Sequence, residues 1–175
     1  KFTLDGKQEA TYLKNNNKDF IKVNALKKTI YNGDWLKKDT YQVVVGYGIA
    51  NKFSMGLLDY NHYLEVFAPK PGKGNIENPE EAFNKMILIP VGMYAISEDL
   101  DSKYVFADLG LAQELLEYKS NQISGIEVKM EKDANEKAII SKLQTIFNNK
   151  ITIKNRAQLN ESLYKMLNTE NLAVY

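Results

Sequence analysis

Glu98, Asp99 and Asp101 are the densest group of side chains in the chain able to move a proton or hold a cation. Carboxylates at this spacing can bind calcium, but the glycine and the distal glutamate of a calcium loop are missing. Acid–base work would need a cleft and shifted pKa values. A solvated turn needs neither, and that is the simpler reading of the cluster. His62 is the only histidine, flanked at short range by Tyr60 and Tyr63, and it reads as a partly buried spacer in a strand. A zinc site would have to surround that one imidazole with carboxylates, an uncommon ligand set. No serine stands in an elbow-type glycine frame to pair with it. With no cysteine, thiolate catalysis, disulfides and cysteine metal sites are excluded.

Two glycine frames could cradle phosphate. Gly46-Tyr47-Gly48 opens like a dinucleotide fingerprint, but the third glycine would fall at Asn51, and no βαβ unit with an acidic strand end follows. Gly72-Lys73-Gly74 lacks a Ser or Thr after the lysine and is not followed directly by an apolar helix. Both read as turns, and no cofactor is expected.

The elements that would have to position any site are clearer. Val43-Val44-Val45 is an unbroken β-branched run, the composition of a strand buried on both faces. Gly46 and Gly48 follow where backbones approach closely, and Ile49, Ala50 and Phe53 then recur at helical spacing. Gln42 to Phe53 is thus a strand, a turn and a helix. Before it, Phe2 to Leu4, Asp5-Gly6 and Ala10 to Leu13 suggest a hairpin. Lys14 to Asp19 is a polar connection, Phe20 to Val23 a short strand or helical turn, and Asn32 to Trp35 a turn that Trp35 anchors on the core.

After it, Tyr63 to Phe67 alternates as a strand. Met86 to Ile96 is an apolar run with Pro90 inside, so that strand is bulged there or lies at an edge. Between them Ala68 to Lys85 carries three prolines and two glycines, a protruding connection far longer than a hairpin requires. Tyr104 to Ala107 is a strand and Leu109 to Tyr118 a short amphipathic helix. Ile123 to Met130 and Ile151 to Lys154 read as strands around a helix from Ala134 to Asn148, capped by Asp133. Gln158 to Asn171 has a stripe of Leu159, Leu163, Met166 and Leu167.

The order predicts an α+β fold in two lobes, one mainly β and inserted, the other an α/β strand–helix–strand unit. Residues 1–19 form a hairpin contributing to the α/β lobe, 20–122 the β lobe with its loop at 68–85, and 123–175 the strand–helix–strand and a last helix. The hydrophobic content of 44% suffices for a core, and 26% charged residues argue against disorder. Lys and Arg number 23 against 22 Asp and Glu, a net charge of +1 that does not point to nucleic acid; the eleven tyrosines read as half-buried strand residues. No apolar run reaches the roughly 18 residues of a membrane span. The start at Lys1 and the apolar end at Leu172 to Tyr175 suggest an excised piece.

From about Ala10 onward the chain resembles the MacB-like periplasmic core domain of ABC transporter permeases, in the FtsX-like permease family. Val43 to Gly46 with Ile49-Ala50 and Phe53 looks like its strand–helix entry. Leu64 to Phe67 and Pro90-Val91-Gly92-Met93-Tyr94 match its next two strands. Ser97-Glu98-Asp99 through Asp101, Tyr104 to Phe106 and Ala112 to Tyr118 are similar to the lipoprotein-releasing branch, the LolC and LolE type. Leu163 to Met166 with Glu170-Asn171 looks like the helix that climbs into the second transmembrane segment.

The resemblance implies a domain on the periplasmic side of the inner membrane that transmits ATP-driven motion and does no chemistry of its own. Its implied partners are a cytoplasmic ATPase subunit acting through the full-length permease, a second permease subunit, and a periplasmic lipoprotein chaperone or lipoprotein substrate. In that branch the loop at 69–85 is a docking hook, which here would present Pro69, Pro71, Lys73 and Ile76. The alternatives are the same domain of a drug or peptide exporter, an FtsX-type regulatory permease, or, in another class, a small α+β hydrolase using Glu98, Asp99, Asp101 or His62.

Overall fold

The computed structural model describes residues 2–9, 12–15, 26–59, 63–71, 82–155 and 158. The fold is α+β. Eight strands are present among the described residues: β1 (Phe2–Leu4), β2 (Lys7–Glu9), β3 (Tyr12–Asn15), β4 (Ile30–Gly33), β5 (Gln42–Gly46), β6 (Leu64–Pro69), β7 (Phe83–Tyr94) and β8 (Tyr104–Ala107). Helices α1 (Tyr47–Phe53), α2 (Glu98–Asp101), α3 (Leu109–Leu115) and α4 (Glu136–Ile146) accompany them, with a 3-10 turn at Leu26–Thr29. The chain divides into two compact units, Lys1–Ile126 and Glu127–Tyr175.

All the strands lie in the first unit, in the order β2-β1-β6-β7-β5-β8-β3, with β4 also on β7. The pairs β5–β7 and β8–β3 are parallel and the others antiparallel. Strand β5 lies inside the sheet, between β7 and β8, and its composition explains why. Val43 and Val45 enter one apolar cluster with Ile49, Phe53, Leu64, Leu88 and Leu111, while Val44 enters a second with Leu36, Tyr94 and Phe106. All three valines are fully buried, so both faces of β5 are covered, as the β-branched run requires. Trp35 packs on Phe106, ring centroids 5.6 Å apart, and so does anchor its segment; its buried indole N–H has no hydrogen-bond partner among the described residues.

Helix α1 starts directly after β5, because Gly46 and Gly48 let the chain pass against α2. A Cβ on Gly46 would collide with the Asp101 carbonyl, and one on Gly48 with the Ser102 side chain. Long strand β7 serves three ladders, its last residues pairing with β4 as well as β5. Phe83 to Leu88 pairs with β6, and Ile89 to Tyr94 with β5. Within the β5 ladder the register slips: Val43 faces Pro90 but Val44 faces Gly92, leaving Val91 as the extra residue of a bulge. The bulge expected at Pro90 is present. It redirects two carbonyls sideways, that of Pro90 to the Leu58 amide (3.0 Å) and that of Val91 to the Asp34 amide (2.9 Å).

Several expectations are corrected. The N-terminal hairpin is β1 with β2, not with 10–13, and β1 pairs with β6, so it joins the sheet of the first unit. Leu13 instead lies in β3, parallel to β8. Asp5 (φ 48°) and Gly6 (φ 79°) turn so tightly that the return strand begins at Lys7. Residues 123–130 and 151–154 form no strand ladder, so the second unit holds α4 without the flanking strands of a strand–helix–strand unit. Helix α4 begins later than expected, since Asn135 and not Asp133 caps it, its side chain accepting from the Ala138 amide at 3.1 Å. The Phe20 to Val23 element and, beyond Gln158, the stripe at 158–171 lie outside the described residues.

A candidate docking hairpin

Strands β6 and β7 form a hairpin in strict two-residue alternation. Inward, Leu64, Val66 and Ala68 join Leu88 in the core. Outward, Glu65 faces Ile87, Phe67 faces Lys85, and Pro69 faces Phe83. Residues directly opposite share a face, so these six make one outer surface. Phe83 and Ile87 are exposed to 43% and 48%, and Tyr63, one residue before β6, to 56%. The Lys85 ammonium pairs with Glu65 and also stands 5.6 Å from the Phe67 ring centre. Thr3 on β1 donates to the same Glu65 carboxylate at 3.4 Å. One lysine thus ties a carboxylate and an aromatic ring across the ladder, leaving apolar groups on either side of a neutralised charge pair.

The ladder continues further than the prolines suggested. Pro69 is the last residue of β6, and the Lys70 amide donates to the Ala82 carbonyl at 2.9 Å. The connection between the strands is therefore 71–81, shorter than 68–85. Pro69 can end the strand because its missing N–H is not needed there. Pro69 and Pro71 are exposed. Lys73 and Ile76 lie outside the described residues, so of the four expected contacts the structure places only the two prolines, both at the base of the connection. Phe83, Lys85 and Ile87 were missed. Their alternation with Asn84, Met86 and Leu88 was the available signal, obscured by starting the strand at Met86.

The acidic cluster does not converge. It lies on α2, a short helix and not an open turn, with Asp99 exposed and paired to Lys103 at 2.8 Å. Asp101 is buried, and its Oδ1 accepts from the amides of Ile96 (2.9 Å) and Ser97 (3.3 Å). Tyr94 extends over the same corner, its hydroxyl placed 2.9 Å from both the Leu100 and Tyr104 carbonyls. Burial first, then the Asp101 charge, pushes the Tyr94 phenol well above its ordinary pKa of 10.0. These carboxyl and phenol groups brace a turn. His62 lies outside the described residues, and no group of three metal-binding side chains occurs among those described.

A cavity of about 230 Å³ lies elsewhere, floored by Leu4, Phe53 and Pro90 and rimmed by Asp5, Lys7 and Asp59. Lys7 donates to the Ser54 hydroxyl there at 3.1 Å. None of the expected site residues lines it. At the opposite edge of β5, the Tyr41 hydroxyl donates to Glu114 at 3.1 Å, and that hydrogen bond is the first cause of a raised Tyr41 pKa.

Compared with known proteins, the chain matches no protein-family model and no curated sequence. No helix among the described residues is long and apolar enough to cross a membrane.

Proposed function

We propose that this chain is the extracytoplasmic domain of an ABC transporter permease of the lipoprotein-releasing type, acting as a mechanical coupler and docking surface without chemistry of its own. The observation that supports this reading is the β6–β7 hairpin. Its inner face is locked in the core, its outer face is apolar around one charge pair, and its two strands are joined by the long connection at 71–81. A surface of this kind suits a protein partner: exposed Phe83, Ile87 and Pro69 supply apolar contact, and the prolines limit the entropy lost on docking. The dispersed acidic cluster fits the same reading, since each of its described carboxylates is exposed or engaged in bracing α2.

In this proposal the domain stands on the periplasmic side of the inner membrane. Motion driven by a cytoplasmic ATPase subunit reaches it through the parent permease and a second permease subunit, and the hairpin docks a lipoprotein chaperone or the lipoprotein itself. The test is capture of a purified periplasmic lipoprotein chaperone by the immobilised chain. Phe83→Ser, Lys73→Glu and replacement of 72–80 by a short glycine turn are each expected to weaken capture at least tenfold. Capture that ignores all three changes refutes the hairpin as the docking surface.

A further inference from the structure

Along the first half of β7 one backbone edge is bare among the described residues. The Lys70 amide donates to the Ala82 carbonyl, one step beyond the Pro69–Phe83 pair of the β6–β7 ladder. Hydrogen-bonded pairs alternate along an antiparallel ladder. The amides and carbonyls of Asn84, Met86 and Leu88 therefore point to β6, and those of Phe83, Lys85 and Ile87 point the other way. The Ile89 amide fixes the same phase, since it donates to the Tyr41 carbonyl at the entry to β5 (2.9 Å). The pairing with β5 goes no further. Asp39 (φ 56°) breaks the extended path of the chain before Tyr41, and the Tyr41 hydroxyl reaches across to Glu114. Among the described residues no backbone bond meets the outward groups of Phe83, Lys85 or Ile87.

Nothing in 83–87 blunts this edge. It holds no proline and no bulge, and Phe83 and Ile87 are exposed. Its one charge, Lys85, is already held by Glu65, so the backbone and not a free ammonium defines what fits. Donors and acceptors that recur every second residue, roughly 6.8 Å apart, match another extended backbone and not a helix. A second copy of this chain fits poorly. An antiparallel pairing of 83–87 with itself that bonds these groups sets Lys85 opposite Lys85, Phe83 or Ile87. A strand of different sequence can place apolar side chains opposite both Phe83 and Ile87 and a polar one between them.

The geometry points to β7 docking an extended segment of a partner protein, which adds to the sheet along Phe83 to Ile87 with apolar side chains opposite Phe83 and Ile87. This deepens the docking reading of the hairpin, on which it rests, but does not need the permease assignment.

Hydrogen exchange of the full chain tests the edge. Alone, the amides of Phe83, Lys85 and Ile87 should exchange freely while those of Met86 and Leu88 are protected. The probe is an end-blocked peptide of about eight residues alternating Val and Thr, long enough to span the edge. Its binding should slow exchange at 83, 85 and 87 about tenfold, and the same peptide N-methylated throughout should not. Lys85→Pro removes an outward donor and no bond of the β6 ladder, and should weaken peptide binding about tenfold. Lys85→Ala loses the same side chain but keeps the N–H, and should weaken it less than about threefold. Slow exchange at the three amides in the dilute chain alone overturns the inference, because the chain then covers its own edge. Protection that appears only on concentrating the chain assigns the edge to a second copy and overturns it too. So does a peptide that leaves the three amides unprotected, or protection indifferent to N-methylation. Peptide protection in a chain that captures no lipoprotein chaperone supports the edge and counts against the permease reading alone.

Discussion

Gly46 faces the backbone carbonyl of Asp101 with no room for a methyl group between them. The contact brings the end of β5 against α2, and it joins two segments far apart in sequence. Gly46→Ala forces one of them to shift, at a cost of about 1–3 kcal/mol. Urea unfolding should show the midpoint falling without a change of slope. Gly125→Ala, where an added Cβ meets nothing within 4 Å, should change stability by no more than about 0.5 kcal/mol.

Asp101 should prove structural. Its Oδ1 satisfies the amides of Ile96 and Ser97 at the entry to α2. Asp101→Ala strands those donors and should cost about 1–3 kcal/mol. Asp101→Asn keeps an accepting oxygen and should cost less than the alanine. Equal losses in thermal unfolding from the two variants would contradict this role.

Alkaline pH should unfold the protein through its phenols. Tyr94 is held above its ordinary 10.0 by burial, then by Asp101, then by Tyr104; Tyr41 is held above it mainly by the Glu114 hydrogen bond. A pKa raised by folding means the native state holds its proton more tightly than the unfolded chain. The stability is then fully present below pH 10.0 and is lost progressively as pH rises above it. Melting temperatures across that range should fall, and Tyr94→Phe should flatten the fall while costing about 1 kcal/mol at neutral pH. An unchanged slope in Tyr94→Phe would rule out Tyr94 as its source.

Shortening the hairpin tip should leave the fold intact. The ladder is closed by the Lys70–Ala82 bond before the connection begins, so replacing 72–80 with a glycine turn removes none of the described core. Leu64→Ala, by contrast, empties a fully buried position and should cost about 2–5 kcal/mol. Circular dichroism melts of the two variants separate these outcomes.

Strands with one dominant signal were readable directly. Val43 to Val45 needed no partner information, because three consecutive β-branched residues fit only a strand covered on both sides. Pro90 called for a bulge or an edge, since a proline cannot donate inside a ladder, and the structure has the bulge. Ile123 to Met130 shows the reverse case. Its alternation is genuine, but a ladder needs a second set of backbone donors, and a single chain's composition does not say whether those are supplied. Leu13 failed for a related reason: residues 10–13 are as good a strand as Lys7 to Glu9, and the Asp5-Gly6 turn, by closing on two residues, chose between them. The outer face of the hairpin was half legible. Composition marked the proline-rich connection, and the resemblance named Pro69 and Pro71 in it, whereas Phe83 and Lys85 acquire their place only through register with Phe67 and Pro69.

Strand β7 has a mechanical consequence. It is the one strand common to the β6 ladder and the β5 ladder, which meet between Leu88 and Ile89, just before its bulge. Tension applied at Phe83 runs inward along the covalent backbone of β7 and passes to the buried valines of β5 only through the ladder that joins the two strands. Resistance to such a pull is in shear, with the bonds of each ladder strained together, whereas a pull across the sheet would peel them one at a time. The same protein should therefore be stiff along β7 and compliant at right angles to it.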